Sequence, residues 1–532
     1  MRHLPFFISS NRPTDCHVMQ DTMEEHSFNE VLGEQLQRAP YLIASLFLHF
    51  LIGLFVMGIL VLTAKQETPP PQFVAAAAEP PPVIEEDPIV EPIVETPLIP
   101  EPVVNDIPVE TEEPSPTLED DGDPEMTAKE PLEAHEWNGV VGLGGGAGGN
   151  QGSRGGPGGA GGASPTEAAV AGGLQWLKDH QSPGGFWDAD GFMHHDLFAD
   201  QAASDGAGNP VNDVGLTGLA LLAFLGNNHT LNSGAHQAVV RDGITWLLDV
   251  QQDRGLFGEE AGNSTLYNQA IATMALGEAY YFSGQAPMLK RPMTKAVNVL
   301  VRARNPYGAW RYELEPNGDS DSSITGWMVF ALKTAQETGI AIDKGAFDGA
   351  EIWFDSMQDK NTGRVGYTWG GDGGGVGSLP SRPSNYIEKF PAYHSESLTA
   401  VALLSRIFMT DSAKVKRWSD HPNYAMLKKQ ADLIASKPPR WDENDGSIDL
   451  YYWYYGTFAM NQWGGKHWKN WQNAIEAALL PNQRRENPKD NFYGSWNPAG
   501  PWGEEGGRVY STAICTLMME VYYRYSRVLG AR

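Results

Sequence analysis

Carboxylate and imidazole side chains stand just ahead of two apolar segments in the C-terminal half of this chain. Asp319 and Asp321 precede one segment, and His394 and Glu396 precede the next. A carboxyl group paired with a second carboxyl or with an imidazole can supply general acid and general base catalysis. Asp321, Glu396 and His394 are therefore the candidate catalytic residues.

Each of these residues also has a structural explanation. Aspartate is a favoured N-cap, so Asp319 or Asp321 would cap a helix that begins directly after them. Glu396 would complement the positive end of the next helix dipole. A single loop histidine such as His394 is commonly only solvated. The sequence leaves both explanations open.

The loops and first turns ahead of the apolar segments hold a wider set of candidate ligand-binding residues: Asp213, Asn268, Asp319, Tyr393, Tyr451, Tyr452 and Arg508. Carboxylates beside the aromatic run 451–455 would suit a carbohydrate, because aromatic rings stack on sugars and polar tips bond their hydroxyl groups. The alternative is that this run is the core of a buried helix. His194, His195 and Asp196 lack a further ligand at suitable spacing, so we expect no metal site, and no motif predicts a cofactor.

A repeated supersecondary unit must position these residues. In each copy a helix, usually bearing a tryptophan, runs into a glutamine or asparagine and a glycine-containing turn, and an apolar helix follows. The turns lie within 176–187, 246–258, 299–310 and 353–367. A unit repeated in this way cannot bury its apolar face alone and must stack on its neighbours.

The apolar second helices number six, with central segments at 218–223, 270–275, 326–331, 399–404, 454–459 and 513–518. They are apolar nearly all round, which is typical of helices enclosed on every side. The third and fourth segments start 73 residues apart, against 52 to 59 for the others, so one copy carries an insertion. We predict an all-α fold over 165–532, a closed (α/α)6 toroid of six helix pairs with a central cavity. An open solenoid is the alternative.

The charge of the chain is concentrated ahead of this domain. The formal net charge is −28, and residues 65–136 alone hold 20 acidic and 2 basic side chains. The toroid is only mildly acidic and has no strongly basic face, so we expect no nucleic-acid partner. Cys16 and Cys515 are the two cysteines, which excludes a disulfide framework.

The N-terminal part predicts a membrane tether. Residues 41–64 carry no formal charge and exceed the roughly 20 residues needed to cross a bilayer. Arg2, Arg12 and Arg38 precede the span, which favours a cytoplasmic tail at 1–40 and a toroid in the periplasm of a bacterial inner-membrane protein. Residues 65–136, rich in proline and glutamate, form an extended, disordered linker. Residues 137–164 form a glycine-rich hinge.

Within the predicted span, Ser45-Leu46-Phe47-Leu48-His49 places a serine and a histidine on one helix face. With the Pro/Glu-rich spacer, this arrangement resembles TonB, the inner-membrane energy transducer, over residues 1–135. The resemblance implies that Ser45 and His49 contact ExbB/ExbD-like proton-channel proteins. The alternative is that His49 is tolerated near a helix end while Ser45 bonds back to its own helix.

Residues 165–532 resemble the prenyltransferase and squalene-oxidase repeat superfamily, through the repeated turns and the segment 319–327. The resemblance implies an α/α toroid. Squalene cyclases use Asp-x-Asp-Asp-Thr-Ala, and in the matching register this chain has Asp321 but then Ser323 and Ile324. Prenyltransferases bind zinc through Asp, Cys and His, whereas Cys515 has no Asp-x-Cys beside it. Neither catalytic mechanism is therefore expected here.

Three functions remain open from the sequence. The first is a non-catalytic, membrane-anchored periplasmic module that binds a ligand or protein on a long tether and is coupled to a TonB/ExbB/ExbD-type motor. The second is an enzyme acting on an envelope glycan, with Asp321 and Glu396 or His394 as acid and base. The third is an isoprenoid-handling, cyclase-like protein. A filled cavity would favour the first, and a carboxylate pair in an open groove would favour the second.

Overall fold

The computed structural model describes residues 165–306, 308–369, 374–411 and 414–524. The chain divides into two units, 1–114 and 115–532, and all described residues belong to the second. The predicted span 41–64 with Ser45 and His49, the linker and the hinge lie outside the described residues. No helix within the described ranges combines the length and apolar character that crossing a bilayer requires.

The described residues form twelve α-helices that alternate between two layers. The outer layer consists of α1 (Pro165–Asp179), α3 (Gln237–Asp249), α5 (Pro287–Arg302), α7 (Lys344–Ser356), α9 (Tyr424–Ala435) and α11 (Gly465–Leu479). The inner layer consists of α2 (Asp213–Gly226), α4 (Thr265–Phe282), α6 (Ser322–Glu337), α8 (Ser397–Met409), α10 (Leu450–Trp463) and α12 (Gly503–Arg524). Helix α12 is kinked at Gly507, where φ is 65°.

The inner helices close into a ring. Each packs against the next one along the chain, and α12 returns to pack against α2 and against the first outer helix, α1. An open solenoid would leave its first and last units apart. The predicted all-α toroid of six helix pairs is confirmed for the described residues.

Composition explains why the two layers separate. Helix α2 is built from leucine, alanine and glycine, and every residue from Gly215 to Gly226 is buried. Outer helix α5 buries one stripe, including Leu289 and Met293, and exposes Lys290 on the other side. Apolar surface on all sides can be covered only inside the ring, whereas a one-sided helix must lie outside it.

A repeated glutamine joins neighbouring outer helices. Gln181 Nε2 donates to the carbonyl of its own turn glycine (2.7 Å) and to Val239 O of the next outer helix (3.0 Å). Gln483 Nε2 makes the same pair of bonds, and its second acceptor is Ala169 O of α1 (2.8 Å). The last repeat therefore binds the first as each repeat binds its successor, which closes the ring.

A second repeated contact corrects the boundaries of one predicted segment. In four inner helices a threonine hydroxyl accepts a hydrogen bond from a backbone amide of the preceding turn: Thr217, Thr325, Thr399 and Thr512. In three of them this threonine directly precedes the small residue that begins the predicted segment. The fourth segment therefore begins at Ala400, not at Thr399. The weak copy misled the alignment because Thr399 stood where a small residue was expected.

Aromatic side chains meet in the centre of the ring. Trp327 of α6 stacks on Tyr454 of α10 with ring centroids 5.7 Å apart, and Phe330 lies 5.5 Å from Tyr455. Helices α6 and α10 are separated by α8 in the ring, so these contacts cross its middle. At the level of these four residues, packed aromatic side chains occupy the predicted central cavity.

Candidate functional site

The insertion anticipated from the long repeat spacing lies at the end of the ring where the inner helices begin. We call residues 374–396 the rim insertion. Arg382 pairs with Asp449, the N-cap of α10 (2.7 Å), and Tyr386 hydrogen bonds Glu504 in the first turn of α12. The insertion therefore reaches from the α7–α8 connection to the starts of two further inner helices. It borders the site described next.

Asp321 is the carboxyl group at the centre of this end of the toroid. It is fully buried, and its Oδ1 accepts a hydrogen bond from the backbone amide of Ile324 (2.9 Å), which confirms the N-cap explanation. Its Oδ2 lies 3.5 Å from Arg311 Nη1. Burial raises the pKa of Asp321 to about 6, although the Ile324 amide and the Arg311 guanidinium oppose the shift.

Arg311 connects Asp321 to the aromatic residues around it. Its Nε lies 3.4 Å from Asp319 Oδ2, so it faces both aspartates. Its guanidinium lies over the rings of Tyr312 (4.6 Å) and Tyr367 (5.4 Å), a cation–π arrangement. The hydroxyl groups of these two tyrosines hydrogen bond each other.

Ser323 links three inner helices across the opening. Its hydroxyl accepts a hydrogen bond from Tyr267 of α4 (3.0 Å) and shares another with Tyr451 of α10 (2.5 Å). The superfamily resemblance aligns Ser323 with a proton-donating carboxylic acid. Here the position holds a hydroxyl in a neutral hydrogen-bond network.

Six aromatic side chains line the opening, and each is half-buried: Tyr267, Tyr312, Tyr367, Tyr451, Trp502 and Tyr510. We call this surface the mouth bowl. Burial raises the pKa of Tyr267, Tyr451 and Tyr510, although all three retain some solvent-accessible surface. Within the described part of the chain, Trp502 Nε1 and the Tyr510 hydroxyl have no hydrogen-bond partner. The bowl therefore offers stacking surfaces, the partly exposed guanidinium of Arg311 and, beside it, the exposed carboxylate of Asp319, whereas Asp321 itself is fully buried.

Glu396, predicted as a catalytic group, is held in a cationic cage. Its carboxylate accepts from Arg364 Nε and Nη2 (3.0 and 2.7 Å) and from Lys437 Nζ (2.6 Å). Thr399 Oγ1 donates to it as well, at 3.2 Å, and the residue is buried. Both oxygens of this carboxylate are therefore engaged in ion pairs and hydrogen bonds within the fold.

His394 and Tyr393 lie at the end of the rim insertion. Their ring centroids are 4.4 Å apart, and Tyr393 is well exposed. Burial lowers the pKa of His394, and the nearby Arg440, Lys437 and Arg382 lower it further. Lys437 also binds Glu396, so His394 lies in the neighbourhood of that carboxylate. The predicted catalytic role of His394 and the predicted ligand-binding role of Tyr393 stay predictions.

Asp213 and Asn268 make hydrogen bonds around the start of α2. Asp213 accepts from the Ala189 amide (2.9 Å), and its pKa is raised to about 7 by burial, against the effect of that hydrogen bond. Asn268 accepts from Gly215 N (3.2 Å) and donates to Val211 O (2.7 Å). The side-chain amide of Asn268 uses both its oxygen and its nitrogen to hold the starts of α2 and α4 together.

Tyr452 and Arg508 point away from the bowl. The Tyr452 hydroxyl donates to the carbonyls of Ile434, in the last turn of α9, and Lys437, just beyond it (3.0 and 2.9 Å). Arg508 is buried, and its guanidinium binds Asp205 Oδ1 at 2.6 Å together with further loop acceptors. Their polar atoms are engaged in interactions that hold the fold together.

The structure thus brings Asp321, Asp319 and Tyr451 of the predicted set into one site. Arg311 and Tyr312 were missed by sequence reasoning. A signal was present, because both directly follow the repeat turn that ends at Trp310. The described residues contain no group of three or more His, Cys, Asp or Glu side chains arranged to hold a metal ion.

A cavity of about 350 Å³ lies elsewhere, between α3 and α5. Arg241 is the one charged residue that lines it, beside chiefly apolar side chains such as Ile244 and Leu289. It contains none of the candidate residues. The mouth bowl therefore remains the candidate functional site.

No protein-family model matches the chain, and no curated protein does. Among solved structures, it is similar to an inactive variant of the α-1,6-mannanase GH76A of Salegentibacter sp. HEL1_6, with 11% identity, 68% of this chain and 99% of that chain covered, and a TM-score of 0.45. An α-amylase from Clostridium perfringens matches with 10% identity, coverage of 67% and 97%, and a TM-score of 0.41. The type II terpene cyclase MstE from Scytonema matches with 12% identity, coverage of 68% and 98%, and a TM-score of 0.40.

Proposed function

We propose that this protein is a non-catalytic ligand-binding toroid, carried in the periplasm on a single membrane span and a long spacer. The observation that carries the proposal is the mouth bowl. Half-buried aromatic rings surround Asp321 and Arg311 there, above a centre filled by packed side chains. Such a surface can hold a ligand at the opening but leaves little room for one inside the ring.

The chemistry of the bowl fits a polyhydroxylated ligand, and we take an envelope glycan as the class. Rings such as Tyr451 and Trp502 offer flat apolar faces with polar edges. Asp319 and Arg311 supply a charged acceptor and charged donors, and charge-assisted hydrogen bonds to hydroxyl groups are stronger than neutral ones.

Two features favour binding over catalysis on that glycan. Glycoside hydrolysis needs two carboxyl groups facing one substrate bond. Glu396 is neutralised by Arg364 and Lys437, and Asp319 faces the same guanidinium as Asp321. An isoprenoid would need a deep apolar cavity, and Trp327 and Tyr454 already pack in the centre.

The tether follows from the sequence. Residues 41–64 supply the span, and the proline-rich linker that follows would reach about 200 Å if extended at about 3.1 Å per residue. A long reach serves a binding head that must meet a fixed partner or surface. A motor contact through Ser45 and His49 is part of the same proposal, because their spacing places both on one face of the span.

The binding proposal is tested by calorimetry and native mass spectrometry of the full-length chain in detergent against a panel of envelope oligosaccharides. We expect saturable binding, no turnover, and a loss of affinity of about tenfold or more in Asp319→Asn, the effect of losing one charged hydrogen bond. Asp213→Asn is the matched control, a partly buried aspartate outside the bowl that should leave affinity unchanged. Turnover of a glycan, or a retained polyisoprenoid, would refute the proposal.

The tether and motor are tested in membranes. The chain should resist alkaline extraction, and protease added outside the inner membrane should release the toroid. Cysteines placed at 45 and 49 should crosslink to an ExbB/ExbD-like protein, whereas a cysteine at 47, on the opposite face of the helix, should not. Equal crosslinking at all three positions, or none, would argue against the motor contact.

A further inference from the structure

Exposed apolar residues are concentrated on and beside the rim insertion. Nine large apolar side chains are exposed among the described residues, and five of them lie between 369 and 393: Trp369, Val376, Leu379, Ile387 and Tyr393. We call these five the apolar patch. Scattered single exposures are ordinary, whereas five of the nine on one stretch of the chain single out that stretch as a candidate interaction surface.

The exposure of the patch does not result from a loosely held segment. Gly375 N donates to Thr368 O (2.6 Å), and Tyr367 N donates to Ser378 Oγ (3.1 Å), which hold the two parts of the chain side by side. Further along, Tyr386 and Phe390 are buried, with ring centroids 5.6 Å apart. The insertion is therefore anchored in the core while its patch residues face outward.

The charges around the patch are mostly acidic. Glu388 on the insertion, Glu443 on the loop beside it, and Glu504 and Glu505 at the start of α12 are all exposed. Lys389 is the exposed basic residue of the segment, and Arg440, on the loop of Glu443, is paired with Asp442 and Asp445. Arg382 is paired with Asp449, and Lys389 lies over the rings of Tyr386 and Phe390.

From this geometry we propose that the apolar patch docks a partner protein with an apolar centre and a rim of lysine and arginine. Electrostatic complementarity steers such a partner and sets its orientation. An anionic membrane surface would be repelled by the acidic rim, and a second copy of this chain would bring like charges together. The proposal is independent of the glycan in the mouth bowl, because the patch residues are not bowl residues.

The test uses the full-length chain with a photocrosslinking residue at Ile387 or at Ile352. The two isoleucines are matched in type and exposure, at 57% and 64%, but Ile352 lies on outer helix α7. We expect a protein adduct at 387 and none at 352. Adducts at both positions, or at neither, would overturn the proposal.

The captured protein is then purified and titrated against the full-length chain. We expect Ile387→Asp to weaken binding about tenfold or more, Ile352→Asp to leave it unchanged, and higher salt to weaken it further, as for a charged rim. A binding affinity that does not change with salt concentration, or that Ile387→Asp leaves unchanged, would overturn the proposal. So would vesicle binding through the patch, seen as sedimentation with phosphatidylglycerol vesicles that Ile387→Asp reduces, or self-association that Ile387→Asp abolishes.

Discussion

At the scale of single residues, Asp321 combines a cap and a buried charge. Its Oδ1 caps α6, while its Oδ2 faces Arg311 in a site closed to solvent. Its pKa of about 6 stands above the ordinary value of 3.8, so folding favours the protonated form. The stability contributed by this group is therefore present in full below about pH 4 and is lost as the pH rises through about 6.

Asp321→Asn should remove this pH dependence. Asparagine also caps helices well and carries no charge. We expect the variant and the parent to unfold with similar free energies at pH 4. At pH 7.5 the variant should be more stable, on the order of 2 kcal/mol, because one pKa unit corresponds to about 1.4 kcal/mol. Urea denaturation at both pH values measures the difference, and a difference independent of pH would contradict the assignment.

Asp449 and Arg382 form a buried ion pair that fastens the rim insertion, with side chains 3% and 4% exposed. Asp449→Asn keeps the cap on α10 but leaves the buried guanidinium without its counter-ion. We expect a loss of about 3 kcal/mol in unfolding free energy and faster proteolysis of the insertion. Arg440→Gln, at an exposed ion pair, is the control and should change stability by less than about 1 kcal/mol. Equal effects of the two substitutions would show that the buried pair does not anchor the insertion.

At the scale of elements, the outer helices approach each other through the turn glycines. Gly308 has a φ of 98°, and an added Cβ would come within 2.2 Å of Gly349 Cα on α7. Gly308→Ala combines backbone strain with this clash. Gly318→Ala, at φ 84° with nothing within 4 Å, suffers only the strain, which is worth about 1–2 kcal/mol. We expect Gly308→Ala to lower the unfolding free energy by clearly more than its control in chemical denaturation, and equal losses would exclude close packing of these helices.

The sequence predicted the elements well because helix period and turn chemistry are local properties. The six inner helices and the first four turns follow from small residues, apolar runs and glycines read along the chain. The turn that holds Gly494 escaped notice, because the helix before it ends at Leu479 without the tryptophan-to-glutamine spacing of the other copies.

The sequence could not predict the directions in which the side chains of the site point. The run 451–455 is aromatic at every position, so no periodicity distinguishes the residue that faces the bowl from its neighbours. Tyr451 enters the bowl, whereas Tyr452, one residue and about 100° further round the helix, turns to α9. The path of the rim insertion was equally hidden, because it is fixed by long-range contacts such as Arg382 with Asp449.

At the scale of the whole molecule, ring closure explains how one site is assembled from distant segments. All inner helices begin at the same end of the toroid, so the bowl collects Tyr267 from α4, Asp321 from the start of α6, Tyr451 from α10 and Tyr510 from α12. Tyr267 and Tyr451 lie in the first turns of their helices, Asp321 lies directly before its helix, and Tyr510 follows the kink at Gly507. The fold therefore fixes where a ligand meets the protein, while the loop residues decide what it is.

Closure also makes the first and last repeats as important as any other. Gln483→Ala removes two buried hydrogen bonds at the seam, one of them to Ala169 of α1, and Gln181→Ala removes the equivalent pair between α1 and α3. In a closed ring both should lower the global unfolding free energy by similar amounts, about 1–3 kcal/mol, in one cooperative transition followed by both fluorescence and circular dichroism. In an open array the terminal substitution would instead release α1 alone, in a separate early transition. Such an early transition in Gln483→Ala would show that the interface between the last and the first repeat is not equivalent to the other interfaces of the ring.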